Sequence, residues 1–169
     1  MFIISQVLRF ISSVLGIASD AELNKKNMYI TNGVSNLLTS ISYFMINAIT
    51  GGICSALAVL RNMYVYFFKK KTPIYVIIIY TIIVIMISIP SIVNKVSIIP
   101  ILIILIYSWA MFKDNMKLIK IAIIIVDILG IIYDFYVWAP IGVLANAISL
   151  ILTIASEILY YKNMKHLRK

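Results

Sequence analysis

The chain has one cysteine, one histidine and four prolines in 169 residues, and charged residues make up only 12% of it. Cys54 stands alone inside an apolar run, which excludes a disulfide framework and a thiolate metal site. His166 stands alone in a charged tail, so neither a metal cluster nor a nucleophile–base pair has its ingredients. No glycine-rich phosphate loop is present. An enzyme is therefore not expected, and neither is a cofactor. The N-terminal apolar stretch lacks a basic segment before it, so a cleaved signal peptide is not expected.

What is abundant is hydrophobicity. The chain is 63% hydrophobic with a mean hydropathy of +1.04; soluble domains run at about 45–50% apolar and about 25% charged. The composition predicts a single all-α integral membrane domain. A spanning helix needs about 20 largely apolar residues. Seven such runs are read: Phe2–Ser19, Met28–Asn47, Gly51–Phe68, Pro73–Ile89, Val96–Phe112, Leu118–Tyr133 and Ile141–Tyr161. Brief loops join them, punctuated by Gly51–Gly52, Pro73, Pro90 and Pro140. Pro100 and Pro140 are expected to act as hinges, since proline breaks the helix hydrogen-bond ladder.

The formal net charge is +9, carried in short clusters between the apolar runs rather than over one folded face. Such clusters orient a chain in a membrane; they do not make a nucleic-acid surface. On one side fall Lys25, Lys26, Lys69, Lys70, Lys71, Lys113, Lys117, Lys120, Lys162, Lys165, Arg168 and Lys169; on the other falls Lys95. Positive residues favour the cytoplasm. The expected topology has an outside N-terminus, seven spans and a cytoplasmic C-terminus.

A weak internal repeat fits this count. With a shift of about 90 residues, the hairpin Met28–Phe68 lies on Leu118–Ile158, Tyr43 on Tyr133 and Gly52 on Gly142. Three helices, a linker helix and three helices place two copies in parallel, an arrangement known among transporters. The expected units are residues 1–68, a linker at 73–89, a second unit at 96–162 and a basic tail at 163–169.

Polar residues fall on helix faces. Ser5, Arg9, Ser12 and Gly16 form one. Asn32, Asn36, Thr39 or Ser40, Tyr43 and Asn47 form a second. Gly142, Asn146, Ser149, Thr153, Glu157 and Tyr160 form a third, and Asp127, Gly130 and Asp134 a fourth. Such faces avoid lipid and converge, either as glue between helices or around a wet cavity.

Five charges in or beside the apolar runs matter most. Arg61 lies eight residues before Lys69 and Asp127 seven after Lys120, which places each roughly 10–12 Å from the same membrane surface. An ion pair across the two halves is expected from this match, since a lone charge in hydrocarbon is costly; snorkelling of Arg61 to headgroups is the alternative. Arg9 and Asp134 lie near the opposite surface, where a second pairing fits. Glu157, near the cytoplasmic end of the last run, either gates the pathway or reaches the interface.

Two stretches carry a resemblance. The run from Gly52 through Ser55 to Arg61 and Asn62 resembles a glycine–small–Arg-Asn run in the third helix of the YgjV-type bacterial inner-membrane family. The run from Tyr133 to Gly142 is similar to the turn between that family's sixth and seventh helices. The family is related to the SWEET and PQ-loop transporters, which implies two three-helix bundles around an alternating-access pathway and sugars as the best-known substrates. The sequence departs from the sugar-carrier pattern. The Pro-Gln pair is absent, Ile141 stands where an Asn contacts sugar, and Gly130 stands where a cavity Trp would precede Tyr133. Asn146 lies one turn beyond Ile141.

Together these readings predict a SWEET-like transporter of a small polar solute in the bacterial inner membrane. Asn36, Tyr43, Asn146, Ser149 and Thr153 would line the substrate cavity. Arg61, Asp127, Asp134 and Glu157 would serve as intramembrane charges or gates. The expected partners are the lipid bilayer and the solute, with room for a homo-oligomer and no nucleic acid. A membrane scaffold or accessory subunit without transport is the alternative.

Overall fold

The structure, a computed structural model, describes residues 1–21, 25–68, 72–113 and 115–166. The side chains of residues 20, 21, 25, 116, 157 and 159–166 lie outside that description, as do Lys69–Lys71 and residues 167–169. Among the described residues, seven α-helices follow one another: α1 (Phe2–Ala21), α2 (Lys25–Met45), α3 (Ile49–Phe68), α4 (Ile74–Ser88), α5 (Ile98–Phe112), α6 (Met116–Tyr136) and α7 (Pro140–His166). Two short 3-10 turns, Ile89–Ser91 and Lys95–Ser97, lie between α4 and α5.

Each helix coincides with one apolar run of the sequence. Among the described residues, four stretches are long and apolar enough to cross a membrane: Phe2–Ser19, Ile49–Phe68, Ile74–Ser91 and Lys95–Phe112. In α7 the apolar stretch is shorter, Pro140–Ser156. The other two helices have an evident reason to fall short. Serines, threonines and asparagines interrupt α2, and Lys117, Lys120, Asp127 and Asp134 interrupt α6. α2 packs against α1 and α3, and α6 packs against α5 and α7.

The ring closes where α3 meets α5 and α1 meets α7. α4 lies outside it, against α3 and α5. Only Ile77, Val84 and Ser88 of α4 are buried, while Ile78, Ile79, Ile82, Ile83 and Ile87 are exposed. A helix that is apolar on every face suits a lipid surround.

Three sequence expectations change. Gly51 and Gly52 belong to the first turn of α3, not to a loop. Pro100 and Pro140 lie in the first turns of α5 and α7. The amides of a first turn have no intrahelical partner, so proline begins these helices instead of hinging them. The third change concerns the repeat. In the turn between α2 and α3, Asn47 has φ 59°, and the Ala48 amide donates to the Tyr43 carbonyl at 2.9 Å. In the turn between α6 and α7, Trp138 has φ 55°, and the Ala139 amide donates to the Asp134 carbonyl at 2.8 Å. Two left-handed non-glycine residues in matching turns set the offset at 91, the separation of Tyr43 and Asp134, instead of 90.

Candidate functional site

A cavity of about 210 Å³ occupies the middle of the ring, with lining residues from α1, α2, α3, α5, α6 and α7. Part of its wall is a buried ionic cluster. Arg9 Nη2 donates to Asp134 Oδ2 at 2.7 Å and to Tyr43 Oη at 2.8 Å. Tyr43 Oη donates to Asp134 Oδ1 at 2.5 Å, and Asn146 Nδ2 donates to Asp134 Oδ2 at 2.9 Å. The Arg9 guanidinium also lies over the Tyr43 ring, 4.5 Å from its centroid. Tyr133 packs edge-on against Tyr43 at 5.5 Å. Asp134 is fully buried, 0% exposed, yet each carboxylate oxygen is bonded. Buried charges are tolerated on those terms. The cluster ties α1, α2, α6 and α7 together.

Glycines make the room. A Cβ at Gly142 would fall on the Asp134 carboxylate and 2.9 Å from Arg9 Nε; one at Gly51 would lie 2.8 Å from the Tyr133 hydroxyl.

Below the cluster, small polar residues join α1 to α2. Ser12 Oγ meets Thr39 Oγ1 at 2.5 Å and donates to the Ser35 carbonyl at 2.9 Å, while Ser35 Oγ donates back to the Ser12 carbonyl at 2.8 Å. These hydroxyls act as glue between close-packed helices, and part of the first two polar faces is explained that way.

A second network crosses α2, α3 and α5. Arg61 Nη2 donates to Asn62 Oδ1 at 3.0 Å, and Arg61 Nη1 to Ser108 Oγ at 3.2 Å. Asn62 Nδ2 donates to Asn32 Oδ1 at 2.8 Å, which also accepts from Asn36 Nδ2 at 2.6 Å. The Arg61 guanidinium lies 4.8 Å from the Tyr107 ring centroid. On α6, also lining the cavity, Asp127 has the Ser149 hydroxyl beside it, and its Oδ2 has no hydrogen-bond partner.

The sequence-predicted residues distribute as follows. Asn36, Tyr43, Asn146 and Ser149 line the cavity, and so do Arg61 and Asp127. Thr153 is buried one turn further along α7 and does not line it. Asp134 pairs with Arg9, as their matched depth suggested. The side chain of Glu157 lies outside the described residues. Arg61 and Asp127 make no ion pair with each other; Arg61 is held instead by Asn62 and Ser108. Nor does Arg61 snorkel, because it is 1% exposed. Asn47 is exposed in its turn rather than on the polar face. Neither Asn62 nor Ser108 continues a polar face, and in the sequence Asn62 stood out only within the Arg61-Asn62 run.

Helices with apolar outer faces, and serines, asparagines and ions turned inward around a cavity, define a helical membrane protein. The model of the Imp-YgjV family, described as bacterial inner membrane protein, matches residues 3–164, and the chain belongs to that family. No curated protein and no solved structure matches the chain.

Proposed function

We propose that the protein carries a small polar solute across the bacterial inner membrane by alternating access, without catalysing a reaction. All seven helices would span. The lysine-rich ends would lie in the cytoplasm with the C-terminus, and the N-terminus outside. α1–α3 and α5–α7 would be two parallel three-helix units linked by α4, in a SWEET-like plan, rocking against each other around the cavity. The twin turns and the paired contacts α3–α5 and α1–α7, which exchange under such a two-fold, support that plan. The Arg9–Asp134–Tyr43 cluster would then close the outer side.

One observation carries the proposal: a cavity of about 210 Å³, lined by polar and apolar side chains of six helices, contains a carboxylate oxygen with no partner. Glue between helices satisfies its own hydrogen bonds, and this oxygen is left over. The test is solute flux in proteoliposomes. Wild-type protein should support flux, and Asn146→Ala and Asp127→Ala should abolish it while thermal unfolding stays cooperative. A scaffold would tolerate both changes and copurify with a partner, and that result would overturn the proposal.

A further inference from the structure

Two charges of opposite sign face the cavity without neutralising each other. Arg9 and Asp134 are spent on one another. Arg61 bonds only neutral oxygens, those of Asn62 and Ser108, and among the described residues it has no carboxylate partner. A guanidinium has five N–H donors on three nitrogens, and these contacts engage each nitrogen once without cancelling its charge. Asp127 is 6% exposed and its Oδ2 is unbonded. Both residues line the same cavity, Arg61 from α3 and Asp127 from α6, the two helices that flank α5.

We infer that the cavity takes a small zwitterion, with a carboxylate toward Arg61 and an ammonium toward Asp127: the chemistry of a small amino acid. The inference rests on the solute-cavity reading above and specifies its substrate class. A buried charge of either sign is costly without a partner. A sugar brings no charge to either group. A simple amine meets Asp127 but is repelled by Arg61, and a simple carboxylate meets the reverse. A zwitterion supplies both counter-charges at once and keeps the whole cavity electrically neutral. Size agrees. A space of about 210 Å³ admits a compact amino acid.

The test uses the full-length protein in detergent, with binding followed by thermal shift and calorimetry. Probes are glycine, alanine, β-alanine and γ-aminobutyrate, against propylamine, propionate and glucose. At least one zwitterion should raise the unfolding temperature at concentrations where the singly charged and uncharged probes do not, and the ω-amino acid series will report the spacing of the two charges. Asp127→Asn, nearly isosteric, should weaken zwitterion binding by about tenfold or more, the scale of one charge-assisted hydrogen bond. The same variant should narrow or abolish the preference for alanine over propionate, a change that simple misfolding does not produce. Binding of glucose without any zwitterion would overturn the inference and leave the transport proposal standing. Binding of no probe, with no flux of any, would overturn both. Unchanged preference in Asp127→Asn would remove Asp127 from recognition and sink the inference.

Discussion

Tyr43 and Asp134 occupy the same place in two like turns, 91 residues apart in sequence, and their side chains meet at 2.5 Å. The contact therefore brings the ends of α2 and α6 together, and Arg9 completes it from α1.

Removing one member of this buried pair leaves an uncompensated charge. Arg9→Gln and Asp134→Asn should each destabilise by about 3–5 kcal/mol. The double variant should lose less than the sum of the two, and a double-mutant cycle on thermal or denaturant unfolding checks it. Tyr43→Phe removes a hydroxyl that bonds both ions and should cost about 1.5–3 kcal/mol.

Glycine positions should separate sharply. Gly142→Ala places a methyl on the Asp134 carboxylate, and Gly51→Ala crowds the Tyr133 hydroxyl. Overpacking of this kind costs about 1–3 kcal/mol or more, and it should be greater at Gly142, where the ion pair cannot move aside without losing its bonds. Gly33→Ala meets nothing nearer than Asn62 Cβ at 3.7 Å. In mid-helix it should be neutral or stabilising by up to about 1 kcal/mol. Unfolding temperatures of the three variants decide the order.

The prolines should be dispensable to movement. Pro140→Ala and Pro100→Ala change first-turn residues that need no intrahelical amide bond. Each should shift stability by about 1 kcal/mol or less and leave any flux intact. A large loss of flux with normal stability would restore a hinge role.

Topology is open to labelling. In a Cys54→Ala background, Lys95→Cys should react with an impermeant maleimide added to intact cells, and Lys113→Cys only after permeabilisation. The reverse pattern would place the lysine-rich rim outside. Cys54 itself is buried beside Ser88, with its Sγ 3.6 Å from the hydroxyl, and should stay unlabelled in the folded protein.

Asn62→Asp should fold and set a carboxylate beside the Arg61 guanidinium, where Asn62 Oδ1 now lies 3.0 Å from Nη2. The new ion pair would neutralise the cavity cation. Binding of carboxylate-bearing solutes should fall by about tenfold or more, with little change for any probe lacking a carboxylate.

Run lengths and polar spacing alone determined where the helices lie and which faces turn inward, because hydrophobic thickness and a 3.6-residue period are written directly into a chain. They also placed Arg9 level with Asp134, since a fixed rise of about 1.5 Å per residue turns sequence distance into depth. Depth is one coordinate of three. Arg61 and Asp127 share it as well, yet only packing decides the rotation of α3 and the order of its neighbours. Those bring Asn62 and Ser108 to the guanidinium and leave Asp127 Oδ2 unbonded. Tertiary structure alone therefore decided which intramembrane charges neutralise each other and which are left facing the cavity.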